Sequence, residues 1–400
     1  MPSIESIGHP LVFKVDQRSA ALELPPYKSG ETAVRLKARA LDGMQKEAIV
    51  HHGPSNSIWR MVCDEGPYLN GTDLAPFPLG FYAAGMAFSF LSEIVHHADT
   101  YGVKLKSLRL IQDNFYTMEG SALRGDMTAG ALPTEITIKI SADAPNETIQ
   151  NILQLSEASS PPQAYMRDLL TNTFALCCNS QELDVSPVNP STVPLHDEPD
   201  PHFDSVMPLD QAEYLPDIIT KLSVAEVKHG VEGGAGSSLR SEQKRTLHVH
   251  TEGFLRDDGL KEVEIRLFKP IGSVFKFISD ESSEAAPPSL AYLSAGVGFC
   301  YMTQLGRYAS IVKLGLNSYS LVQDNVFTLS GSPRDENMRT AAKSVDTHLF
   351  VKLEGSDEDA QRLLKMGEQT CFLHAAMRTS IPTKLRAEIN GVETEIEPGR

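Results

Sequence analysis

The order of apolar and polar positions divides the chain into short alternating runs and a few long, nearly continuous apolar ones. Glu135–Ile140 (EITIKI) alternates strictly, the period of a half-buried strand. Thr32–Leu41, Ser57–Cys63 and Lys104–Met118 read as further strands, with turns at Gly43 and at Asp64-Glu65-Gly66. Leu79–Ala98 is apolar almost throughout and predicts a long buried helix, with Gly102 close behind as a stop. Asn146 is placed to cap a second helix that carries Ile149, Ile152 and Leu153 on one face, until Pro161-Pro162 breaks it. Phe174–Cys178 then closes the first half as a strand, and residues up to Gly30 show no clear period.

The second half repeats this order. Thr246–His250, Val263–Phe268 and Ser273–Ile278 predict strands, and Leu290–Tyr308 predicts a long helix. Gly315–Leu329 and His348–Leu353 predict strands, Asp359–Met377 a helix, and Leu385–Ile389 a closing strand. Residue identities recur at one spacing. AGMAFSFL at Ala84–Leu91 is shadowed by AGVGFCYM at Ala295–Met302, and 295 − 84 = 211. The same offset links Gln112-Asp113-Asn114 to Gln323-Asp324-Asn325, Gly120-Ser121 to Gly331-Ser332, and Arg167 to Arg378. A constant offset over roughly a hundred residues implies one domain written twice. Each copy is an α+β unit, a sheet packed with two main helices. The copies fall at 1–183 and 222–400, joined by an acidic, Pro-rich linker at 184–221 that holds at most one short helix near its end.

Size and composition agree with two globular domains, since 400 residues exceed one ordinary core. A net charge of −16 and the lack of a basic cluster argue against a nucleic-acid surface. No cationic, apolar leader opens the chain, and no uninterrupted apolar run reaches the length of a membrane helix, so no membrane contact is expected. Five cysteines, an odd number, fit reduced cytoplasmic thiols better than a secreted disulfide framework.

Two of those thiols break the symmetry of the repeat. Cys300 faces Ser89 and Cys371 faces Ser160, so one copy holds a thiol pair and the other holds none. Cys63, Cys177 and Cys178 read as small buried hydrophobes, and the adjacent pair on a strand points to opposite faces. If the two helices of the second copy pack together, Cys300 and Cys371 come within disulfide range. A reactive thiol needs a nearby cation or base, and Arg378 and His374 follow Cys371 at suitable spacing. Ser89 and Ser160 have no His and acid in local register, so a serine hydrolase is not expected. The Gln-Asp-Asn triplets read as fixing a turn or bulge. The run from His196 to His202 reads as a solvated acidic loop, and His96-His97 cannot both face one ion. His248 and His250 share a strand face, but nothing in the sequence completes a metal site. Gly230–Ser238 lacks the Lys of a phosphate loop and reads as a turn.

AGVGFCYM followed far downstream by TCFLHAAMR resembles the OsmC/Ohr family of thiol-dependent hydroperoxide reductases, and the resemblance spans both copies. It implies two OsmC-like domains in tandem, arranged as an intrachain pseudo-dimer, the first degenerate because Ser replaces both Cys. It also implies that Cys300 attacks the peroxide and Cys371 resolves the sulfenic acid. The substrate would be a small molecule such as an organic hydroperoxide and the reductant an external thiol or dithiol, with no bound cofactor or metal. Family dimers share their sites, so the first copy is expected to present Trp59, Arg60 or Glu65 toward Cys300. The chain departs from the family pattern at Leu290, where a Glu is usual, and at Phe372, where a Pro is usual. Asp280-Glu281 is a candidate replacement for that Glu, with a similar pair at Asp64-Glu65. Two other functions stay open: a cysteine hydrolase or lyase using Cys300 with His374 as base, and a non-catalytic binder. Whether the chain acts as a monomer or as a homo-oligomer is likewise open.

Overall fold

Two long helices, Pro78–Thr100 and Ser289–Val312, cross at the centre of the molecule with their backbones almost touching. A Cβ on Gly85 would lie 2.6 Å from the Leu293 nitrogen, and one on Gly296 would lie 2.4 Å from the Tyr82 nitrogen. Gly85 and Gly296 are related by the 211-residue offset, and so are Tyr82 and Leu293. The contact is therefore self-complementary, as at a two-fold dimer interface, although both helices belong to one chain. The structure, a computed structural model, describes residues 1–20, 22–210, 213–224, 243–331 and 338–397. The Gly-rich run 230–238 and Ser332 lie outside the described residues.

A nine-stranded sheet packs on each side of the helix pair, and each sheet draws on both halves of the chain. The first runs Val12–Lys14, Ser57–Cys63, Lys46–His52, Glu31–Ala40, Gly315–Ser330, Asp346–Glu354, Thr173–Cys178, Gln181–Leu183, with Arg339–Ala342 beside Gly315–Ser330. The second runs Ile219–Ser223, Val274–Ser279, Lys261–Lys269, Gln243–Leu255, Leu105–Gly120, Glu135–Ala142, Lys384–Ile389, Val392–Ile396, with Thr128–Ala131 beside Leu105–Gly120. The exchange occurs where Leu105–Gly120 pairs with Gln243–Leu255 and where Gly315–Ser330 pairs with Glu31–Ala40, both antiparallel. The closing strands Thr173–Cys178 and Lys384–Ile389 add in parallel to strands from the opposite half. The fold is α+β, and the two halves are interleaved.

Several local expectations change in this setting. Lys46–His52 is a strand that the sequence pattern did not mark, fully buried between its neighbours. Asn146 is the first helical residue after a Pro145 cap, so its side chain does not cap the helix; it accepts from Asn390 instead. At the end of the linker, Ile219–Ser223 is a strand on the edge of the second sheet. The acidic stretch of the linker is held against the protein while part of it stays exposed: Arg39 donates to Asp200 and to the exposed Asp204, and the His196 ring packs 4.4 Å from that of His348. The Gln-Asp-Asn triplets lie in regular ladder. Their outer members are buried tethers, as where Gln112 donates to the Ala83 carbonyl and Asn114 to Thr134. Pro78–Thr100 is long and apolar enough to cross a membrane, with a mean hydropathy of 1.3 over 18 residues, contrary to the expectation of no such run. Of that window, 83% is buried inside the protein, because a helix enclosed by the other central helix, the second sheet and the helix Asn146–Ser159 has no polar face.

Replacing Gly296 by Ala puts a methyl group against backbone that cannot rotate away, and should cost about 1–3 kcal/mol. Gly298, two residues on, meets only the Leu36 Cδ2 tip at 2.4 Å. That tip can turn aside, and the better helix propensity of Ala adds up to about 1 kcal/mol in favour. Denaturant melts should therefore place Gly296→Ala well below the parent and Gly298→Ala within about 1 kcal/mol of it.

Candidate active site

Cys300 lies in the second central helix, one turn beyond the crossing glycine Gly296. Cys371 lies between two helices, Asp357–Thr370 and Phe372–Met377, so the single helix expected over 359–377 is broken at the thiol itself. The first of these helices is set by a capping box in which Ser356 accepts from the Asp359 N–H and Asp359 accepts from the Ser356 N–H. Its approach to the central helix is close because Gly367 has no side chain; a Cβ there would meet Leu305 at 2.5 Å and Tyr301 at 3.1 Å. Four residues later the chain turns extended at Cys371, with φ −73° and ψ 118°. This brings the Cys371 thiol 3.6 Å from the Cys300 sulfur, with both residues buried.

Beside Cys300 is a narrow pocket of about 20 Å³, room for roughly one water. Leu69, Phe77, Leu79, Leu247, Leu267 and Phe372 form most of its wall, and its polar groups are Glu65, Tyr68, Arg245, Arg307, Gln304 and Thr303. Glu65 comes from the first half, just past the strand Ser57–Cys63, while Arg245 lies on the swapped strand Gln243–Leu255. Burial pushes the Glu65 carboxyl up, against the pull of Lys46 and Arg307 and a hydrogen bond from Tyr68 at 2.9 Å. Burial pushes Arg307 down, countered by Glu65 and by Cys300. Burial, with Arg307's like charge, also pushes Arg245 down, countered by Glu65. The Cys371 thiol is driven well up by burial and by the adjacent sulfur. The pocket thus sets two guanidiniums and a carboxyl beside one of the two thiols.

Of the three residues expected to reach Cys300 from the first half, Glu65 lines its pocket and the other two do not. Trp59 donates to Ser283 at 2.6 Å, and Arg60 is held by the Glu47 carboxylate at 2.6 and 2.9 Å. Arg378 donates to the carboxylate and carbonyl of Glu368 and is not part of the pocket wall. His374 is fully buried between Phe174 and Tyr301, at ring separations of 5.6 and 5.2 Å. Neither of its ring nitrogens has a hydrogen-bond partner among the described residues, and burial pushes it down to about 3. Glu281 belongs to the other half's site, where it accepts from Ser92 and from the Ser289 N–H near Ser89.

That other site keeps the geometry and changes the chemistry. Ser89 and Ser160 stand at the Cys positions, with their hydroxyls 3.0 Å apart. The counterpart of Arg307 is His96, since 307 − 211 = 96. By strand register Leu247 opposite Tyr116 matches Thr32 opposite Phe327, so the counterpart of Arg245 is Gly30. The first half has lost both sulfurs and both guanidiniums. Arg307 was missed in the sequence, although it follows Cys300 by seven residues, two helical turns. Arg245 gave no such signal, since only sheet pairing brings it near.

A family model described as OsmC-like protein matches residues 280–386. The chain carries an OsmC-like domain. The matched segment holds the second central helix, both cysteines and the break at Cys371, whereas Glu65 and Arg245 come from outside it. Among solved structures, an OsmC-like hydroperoxide resistance protein from Jannaschia sp. CCS1 is similar at 22% identity and a TM-score of 0.26, covering 34% of this chain and 89% of that one. No curated protein matches the chain.

The buried histidines of the core predict an acid-labile fold. His374 is depressed to about 3 and His52, also buried, to about 4, both from 6.5 and both chiefly by burial. A lowered folded-state value means that the unfolded chain binds more protons below pH 6.5, so stability falls as pH drops through that value. By pH 5 each histidine should cost about 2 kcal/mol. Melting curves between pH 7 and pH 5 should show this slope, reduced in His374→Leu.

Proposed function

We propose that the protein is a thiol peroxidase that reduces organic hydroperoxides at Cys300. The observation that carries this reading is the 3.6 Å approach of the Cys300 and Cys371 sulfurs beside a pocket shared with Arg245, Arg307 and Glu65. The match to the OsmC-like family over the residues that hold both thiols supports it. The apolar wall suits the alkyl part of a hydroperoxide, which enters once the lining side chains part.

In this reading Arg245 and Arg307 favour the Cys300 thiolate, which attacks the outer peroxide oxygen. The O–O bond breaks, and the alkoxide takes a proton and leaves as the alcohol. Cys300 is left as the sulfenic acid. The Cys371 sulfur attacks it, its proton leaves with the displaced hydroxyl as water, and a disulfide forms. An external dithiol reduces that disulfide by two thiol exchanges and is itself oxidised. Glu65, which attracts both guanidiniums, orients them in the pocket. His374 hydrogen-bonds neither thiol, which counts against a hydrolase that would use it as base.

Mass spectrometry after one equivalent of an organic hydroperoxide should find a Cys300–Cys371 disulfide in the parent and none in Cys300→Ser. Cys371→Ser should stop after one turnover, with a sulfenic acid at Cys300 that dimedone traps. Glu65→Gln should lower kcat/KM by about 10- to 100-fold. Thiols that stay reduced while the peroxide persists would sink the reading.

A further inference from the structure

We propose that the outer face of the second sheet carries a site for a divalent transition-metal ion, with Asp113, His248 and His250 as its ligands. Neither the thiol chemistry nor the family match uses these residues. Asp113 is the middle residue of the first Gln-Asp-Asn triplet, and its neighbours Gln112 and Asn114 point inward. It is paired directly with His250 across the exchanged strands, with His248 two residues along on the same face. The three donor atoms lie within 4.8 Å of one another. His248 Nε2 is 2.6 Å and His250 Nδ1 2.8 Å from the same oxygen, Asp113 Oδ1.

Two imidazole nitrogens aimed at one carboxylate oxygen need something positive between them, either two protons or a metal. The second shell is placed to hold the metal-ready form. His250 Nε2 faces Glu252 Oε1 at 3.4 Å, and Glu252 is itself held by Arg109. A proton on Nε2 leaves the Nδ1 lone pair directed at the Asp113 oxygen, the arrangement by which a carboxylate orients a metal-binding histidine. Phe268 stacks on His250 at 4.9 Å and fixes the ring plane. The other half shows what the site replaces. Asp324, at 113 + 211, is gripped by Arg35 with both contacts at 2.7 Å, and Arg35 occupies the register position of His250. There a permanent cation faces the carboxylate, and here two imidazole nitrogens do.

Two imidazoles and one carboxylate suit Zn²⁺, Co²⁺, Ni²⁺ or Fe²⁺ over Mg²⁺ or Ca²⁺. Bonds of about 2.0–2.2 Å ask the donors to part by somewhat under 1 Å, which side-chain rotation supplies. One or more coordination positions remain for water or an exogenous ligand.

The test is a titration of the chelator-stripped full chain with Co²⁺, followed by its visible spectrum, and with Zn²⁺, followed by calorimetry. One equivalent should bind, with d–d bands and without thiolate charge transfer. His248→Gln and His250→Gln should each weaken binding by about 100-fold, and Glu252→Gln by about tenfold. Absence of saturable binding, a thiolate band, or unchanged affinity in the histidine variants would overturn the proposal. On the unaltered protein, Zn²⁺ should shield His248 and His250 from diethylpyrocarbonate, read by peptide mass spectrometry. Equal modification with and without Zn²⁺ would overturn it independently of any variant's folding.

Discussion

The backbone contact between the two central helices at Gly85 and Gly296 is the constraint on which the rest of the structure depends. Only a residue without a Cβ allows two helices to approach this closely, and both halves supply one at the same place. The crossing fixes a local two-fold axis within one chain. It also fixes where chemistry can occur, because Ser89 and Cys300 each lie four residues beyond the crossing glycine and so one turn along the same face. Each site is then completed by the helix break that carries Ser160 or Cys371, and by a wall that the opposite half provides.

Exchange of strands between the sheets follows from this arrangement and makes the halves interdependent. The strand Gln243–Leu255 lies against Leu105–Gly120 of the other half, and its two faces have different neighbours. Arg245 and Leu247 turn inward and line the thiol pocket, while His248 and His250 turn outward to Asp113. The period of two along a strand places these groups back to back. A domain boundary drawn along the sequence would cut through both clusters.

The two halves share a backbone and differ in what their sites can stabilise. Two hydroxyls 3.0 Å apart satisfy each other and need no cation, which agrees with Gly30 and His96 standing where the other site has Arg245 and Arg307. Two thiols hydrogen-bond weakly, and a thiolate in a buried site needs positive charge nearby. Loss of the sulfurs and loss of the guanidiniums are thus one change in physical terms. The acids follow the same pairing, with buried Glu65 reaching the thiol site and half-buried Glu281 the hydroxyl site, each from the half opposite the central helix that it faces.

Much of this was determined by the sequence alone. Alternation marked Glu135–Ile140 most clearly among the strands, nearly continuous apolar runs marked the central helices, and the offset of 211 implied the repeat without any structure. The two Ser-for-Cys differences located the thiol pair. Tertiary structure decided what local pattern cannot carry. Lys46–His52 is buried on both faces and therefore lacks the alternation that reveals a half-buried strand. Cys371 breaks its helix without a proline to announce it, since Phe372 stands where the first half has Pro161. Glu65, rather than Trp59 or Arg60, reaches Cys300 because the chain leaves the strand toward the pocket only after Cys63. Arg245 and Asp113 gain their partners through pairing between strands more than a hundred residues apart. Periodicity records which face of an element is buried; which distant element it meets is settled only when the two halves interlock.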